Sequence, residues 1–105
     1  MHVVKKIEII ANSRELAKIL EGLEKSGVHG HAIMRNVAGK GLRGDNVNED
    51  LDMTMLDNVY ILAFCAPDDI KTVVETIRPI LNKFGGTCYV SDVMEVRSMR
   101  CVSSL

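Results

Sequence analysis

Twice along this chain a β-branched run gives way to apolar residues at helical spacing, and then to another extended run. The first unit opens with Val3–Ile10, short and rich in Val and Ile, which reads as a strand. Leu16, Ile19, Leu20 and Leu23 follow at i, i+3, i+4 and i+7, the spacing of one buried helical stripe. Asn12 stands ahead of the stripe as an N-cap, and Glu15 three positions later completes the pattern of a capping box. Ser26-Gly27 ends the helix, since glycine commonly takes the position just past a helix terminus, and His31–Val37 returns to strand-like content.

The second unit repeats the order. Val59–Ala66 is a nearly continuous apolar run, which suits a central strand covered on both faces. Pro67-Asp68-Asp69 opens a helix with carboxylates at its positive end, and Ile70, Val73, Val74, Ile77, Ile80 and Leu81 form its stripe. Pro79 falls inside that stripe and predicts a kink or a shorter final turn, because proline lacks the amide donor and crowds the preceding turn. Gly85-Gly86 ends the helix, Thr87–Val90 is the last long strand, and Met94–Met99 reads as a short edge strand.

Strand, helix, strand, long loop, strand, helix, strand is the split βαβ repeat: an α+β, ferredoxin-like βαββαβ fold with a four-stranded antiparallel sheet and both helices on one face. A chain of 105 residues fits a single domain, 1–105, with one core. The second face of such a sheet is left bare, and in a chain this short the expected cover is another copy of itself.

Charge narrows the function classes. The net charge is −1, and the thirteen Lys and Arg residues are spread rather than clustered, so the basic stripe of a nucleic-acid binder is missing from the sequence. The longest apolar run is far too short to span a bilayer, and the N-terminus enters a strand pattern at once, which predicts a cytoplasmic protein. Cys65, Cys88 and Cys101 are odd in number and widely spaced, so free thiols are expected, the first two in the core and Cys101 nearer the surface. Ser13, Ser26 and Ser91 have no motif around them and the cysteines no evident base, so no catalytic residue is assigned.

Two segments invite a ligand or a partner. Gly39-Lys40-Gly41-Leu42-Arg43-Gly44 has the glycines that let backbone amides approach an anion, but not the strand-to-helix context of a P-loop, so a phosphate cradle and a flexible hinge both remain open. From Asp45 to Asp57 the chain is acidic, and Asp45–Met55 shows no helical or strand periodicity, which predicts the most mobile internal segment. Leu51, Met53, Met55 and Leu56 within it are apolar, which suits contact with a partner protein. His29 and His31 alternate around Gly30 without further ligands close in sequence, and the acidic loop lacks EF-hand spacing, so no metal site is assigned.

Three stretches together resemble one family, the PII and PII-like signalling proteins. They are Gly27-Val28-His29-Gly30-His31-Ala32-Ile33, Ala38-Gly39-Lys40-Gly41, and Ile77-Arg78-Pro79-Ile80-Leu81-Asn82-Lys83-Phe84-Gly85-Gly86. The resemblance implies a homotrimer whose sheets face a central axis, with adenine nucleotides as effectors in clefts between subunits and a long T-loop, here about 39–57, that reaches partner proteins. It implies a nucleotide-binding set of Gly39, Lys40, Gly41, Arg43, Gly85, Gly86, Arg97 and Arg100, the arginines supplying permanent, planar donors to phosphate. The departures are specific. The phosphate-holding GDGK loop of the nitrogen-sensing members has no counterpart in Asn82–Val90, and Tyr60 lies at the start of the third strand, not in the loop. These gaps point to the PII-like group whose members partner a membrane bicarbonate transporter. Two alternatives stand beside it: a trimeric metal-binding protein resembling the CutA group, and a PII-like scaffold that has lost ligand binding.

Overall fold

The computed structural model describes residues 1–28, 30–37 and 57–96. Its elements are β1 (His2–Asn12), a 3-10 turn (Ser13–Glu15), α1 (Leu16–Lys25), β2 (His31–Val37), β3 (Asn58–Cys65), a second 3-10 turn (Pro67–Asp69), α2 (Ile70–Phe84) and β4 (Thr87–Glu95). Hydrogen-bonded neighbours in the sheet are antiparallel and run in the order β2-β3-β1-β4. Each helix thus joins two strands with a third between them, α1 crossing β3 and α2 crossing β1. This is the α+β, ferredoxin-like arrangement.

Strand alternation decides which face the helices cover. Ile7, Ile9 and Ala11 of β1 stand directly opposite Ala63, Ile61 and Val59 of β3, and all six are at most 3% exposed. They join Leu16, Ile19, Leu23, Val73 and Ile77 from the helices in one buried cluster. Each fully buried Ile or Leu in that cluster contributes about 1.5–3 kcal/mol relative to exposure. The opposite face carries Lys6, Glu8, Tyr60, Leu62, Phe64, Met34 and Tyr89, and no helix packs on it among the described residues.

That asymmetry corrects one expectation. β3 is central, but only its alternate residues Val59, Ile61, Ala63 and Cys65 are buried, while Tyr60, Leu62 and Phe64 are partly or well exposed. An unbroken apolar run here marks a strand with a covered face and a sticky one.

The helix ends follow from local chemistry. Asn12 Oδ1 accepts from the Arg14 backbone amide at 2.9 Å, so the residue caps the 3-10 turn, and α1 begins at Leu16, where its stripe begins and later than an N-cap at Asn12 implies. Glu15 does not serve as the return half of a capping box; its carboxylate is largely buried and lies 3.5 Å from Lys18. At the other end Val28 N–H bonds to Leu23 O at 2.9 Å and Gly27 N–H to Glu24 O at 3.1 Å. This is the Schellman pattern, and it requires the positive φ of 96° that Gly27 adopts.

Two further expectations are narrowed. α2 runs without interruption from Ile70 to Phe84, so Pro79 neither ends it nor starts a separate turn. Pro79 is on the exposed side of the helix, where its ring meets solvent and the missing amide bond is affordable in a helix held by Val73 and Ile77. The segment starting at Met94 is not a separate edge strand: Met94 and Glu95 complete β4, paired with Val3 and His2. Residues 97–99 lie outside the described residues.

α2 closes with Gly85 N–H bonded to Leu81 O at 2.8 Å, and Gly85 and Gly86 have φ of 87° and 121°. A Cβ on Gly86 would stand 2.9 Å from Ile10 O and 3.0 Å from a Leu81 methyl, so β4 can enter the sheet beside β1 only with glycine there. Gly86→Ala is expected to lose about 2 kcal/mol or more of stability, from the positive φ together with the backbone clash, as read from urea unfolding.

Candidate functional site

A cavity of about 460 Å³ opens at the end of the sheet where β1 begins and β4 ends, within the size range of small-molecule sites. Its floor is apolar, with Val4, Ala32, Leu62 and Phe64 among the lining residues, and its polar lining includes His2, His31, Asp69 and Glu95. His2 Nε2 lies 2.9 Å from Glu95 Oε1, a pairing that follows from the β1–β4 register. Gly27 and Gly30 bring backbone to the rim without side chains. With Asp69 and Glu95 in its wall, the cavity suits an apolar, hydrogen-bonding ring better than a phosphate chain.

At the opposite end of the sheet stand Gly85 and Gly86, with Gly86 packed on Ile10. The two ends are separated by the eight residue steps of β1 from His2 to Ile10, roughly 26 Å of strand. Val37, the last described residue before the glycine-rich segment, pairs with Asn58, and Asn58 with Asn12, so it shares the Gly86 end. Asn36 just before it adopts a φ of 60° at a β-bulge, where the pairing register with β3 shifts. Val96, the last described residue before Arg97, follows Glu95 at the cavity end.

Gly39, Lys40, Gly41 and Arg43, Arg97 and Arg100, and the apolar set Leu51, Met53, Met55 and Leu56 lie outside the described residues, as do Asp45–Met55, Cys101 and His29. Of the nucleotide set only Gly85 and Gly86 are described, and both have a conformational reason to be glycine. The cavity residues His2, His31, Asp69 and Glu95 were missed as a group, because register across three strands and a turn brings them together and no local spacing announces it. Among the described residues no three His, Cys, Asp or Glu side chains converge as a metal-binding group.

The family model described as nitrogen regulatory protein P-II matches residues 4–101. No curated protein matches the chain. Among solved structures, CPII from Thiomonas intermedia, determined bound to ADP and bicarbonate, is 25% identical with a TM-score of 0.75, and 91% of each chain is covered. The apo form of CPII is 22% identical with a TM-score of 0.74, covering 92% of this chain and 96% of that one. A candidate PII-like signalling protein from Thermus thermophilus is 19% identical with a TM-score of 0.70, covering 90% and 91%. At these identities the last two speak for the fold alone.

Cys65 lines the cavity but is a poor nucleophile. Burial first, and the Asp69 carboxylate second, push its thiol above the ordinary value of 9.0, outweighing the opposite pull of Lys5. Burial alone raises Cys88. Both thiols therefore stay protonated at neutral pH, and their contribution to stability is complete below pH 9 and lost as pH rises through the folded values. A thiol-exchange assay at pH 8 should find Cys65 and Cys88 reacting more than about tenfold slower in the native protein than after unfolding.

Proposed function

Because the chain belongs to the nitrogen regulatory protein P-II family, we propose that it is a PII-like signal-transduction protein that binds an adenine nucleotide between subunits and regulates a partner protein through the loop at about 39–57. It acts by binding and signalling, not by catalysis. The observation that carries this reading is the family match over residues 4–101, on a chain whose sheet and helices superpose on CPII. CPII has been solved with ADP and bicarbonate, and with ADP, AMP and bicarbonate, which directs the choice of effector here to the mono- and diphosphates of adenosine.

The separation of the two sheet ends supports a site shared between subunits. One end offers a cavity with an apolar floor and acidic wall, and the other offers Gly85 and Gly86 beside the exit toward Gly39 and Lys40. One nucleotide cannot span roughly 26 Å of strand within a single subunit. A neighbouring copy resolves this by laying its glycine end against the cavity end, so that the base takes the cavity and Lys40, Arg43, Arg97 and Arg100 hold the phosphates. A homotrimer also covers the helix-free sheet face.

The regulated partner in this reading is a membrane bicarbonate transporter met through Leu51, Met53, Met55 and Leu56, and the protein works in the cytoplasm. No helix among the described residues is long and apolar enough to cross a membrane. A CutA-like metal protein shares the topology, but the family match favours signalling.

The test is calorimetric titration with ATP, ADP and AMP, run beside light scattering. The expected result is a homotrimer that binds ADP or AMP more tightly than ATP. Arg97→Ala with Arg100→Ala should weaken binding by about tenfold or more, since charge-assisted phosphate contacts contribute roughly 1.5–3 kcal/mol each. Unchanged affinity in a still-trimeric double variant removes the arginines from the site, and no binding by the unmodified protein leaves a scaffold without a ligand.

A further inference from the structure

The helix-free face of the sheet is apolar around a polar centre. Met34, Phe64 and Tyr89 on it are 57%, 46% and 48% exposed, and the half-buried Ile10, Leu62 and Val93 share the face. Among them, Glu8 stands opposite Leu62 on one side and Tyr89 on the other. The Tyr60 hydroxyl donates to Glu8 Oε2 at 2.6 Å, and Lys6 Nζ lies 3.7 Å from Glu8 Oε1. Each oxygen of the carboxylate thus has a partner within its own chain.

Among the described residues the titratable groups facing Glu8 are Lys6 on its own strand, Tyr60 from β3 and Tyr89 from β4. His2 and Glu95 are paired with each other at the far end of the same face. The helices lie behind the sheet and contribute no charge to this side. The bond to Glu8, then burial, then the carboxylate's charge hold the Tyr60 phenol above its ordinary value of 10.0, so its hydroxyl keeps its proton throughout the neutral range.

We infer that Lys6, Glu8 and Tyr60 form a self-neutralising polar centre that lets this face close against further copies of the same chain, with the Tyr60 hydroxyl as the positioning donor for the Glu8 carboxylate. The inference rests on the homotrimer reading above and adds what makes that burial tolerable. An ionised carboxylate covered without a donor costs more than the surrounding apolar contacts return, whereas a paired one does not. The charge pattern also selects the occupant. The Lys6–Glu8 pair sums to zero, so among the described residues the centre of the face presents no net charge to attract a basic or acidic partner and none to repel its own copy.

Tyr60→Phe is the sharpest test, because it removes one oxygen and leaves the buried face of β3 untouched. Sedimentation velocity over a dilution series should show self-association weakened by about tenfold or more at pH 7.5, the loss expected for one hydrogen bond to a charged group. The triple variant Lys6→Leu, Glu8→Leu, Tyr60→Phe replaces the whole centre by apolar groups and should restore association at pH 7.5. Circular dichroism of each variant checks the fold. A folded Tyr60→Phe protein that associates as tightly as the unmodified one at pH 7.5 overturns the inference while leaving the homotrimer intact. An unmodified protein that is monomeric at micromolar concentration overturns the homotrimer reading, and the inference with it.

Discussion

The arrangement depends on β1 having partners on both edges and a different environment on each face. It is paired along most of its length to β3 on one side and β4 on the other. Its inward residues Ile7, Ile9 and Ala11 are the floor on which both helices sit. Because successive strand residues point to opposite faces, the same strand must also present Lys6, Glu8 and Ile10 on the other side. The core and the helix-free face are two consequences of one alternation.

The two helix crossings then fix where function-bearing groups can be. α1 ends in the Schellman turn at Gly27 and returns the chain to the cavity end of the sheet; α2 ends at Gly85 and Gly86 at the opposite end. β4 enters beside Ile10, passes the length of β1 and leaves beside His2. Val37 and Val96, the described residues at which the chain leaves β2 and β4, therefore stand at opposite ends of the sheet. The family model likewise spans both ends, since its match runs over residues 4–101.

Much of the fold was legible because burial leaves a period. The stripes Leu16–Leu23 and Ile70–Leu81 identified both helices, and their order with the β-branched runs identified the topology. The misreadings have physical causes. Pro79 sits on an exposed helical face where tertiary packing overrides its local cost, and the apolar character of Tyr60, Leu62 and Phe64 reports a surface open in the isolated subunit, not a second covered face. The family resemblance was legible in short motifs with the right order, and the family model over residues 4–101 agrees with it.

The sequence by itself determined the element order, the buried helical stripes and the glycines at the helix ends, because each depends on near neighbours along the chain. Only the tertiary structure decided that His2 meets Glu95, that Cys65 and Asp69 share a cavity wall, and that Tyr60 caps Glu8. Those pairs are set by strand register and by Glu8 and Tyr60, 52 positions apart in sequence, closing into one sheet. Register is a collective property of the ladder, fixed by which faces are buried, and no local spacing encodes it.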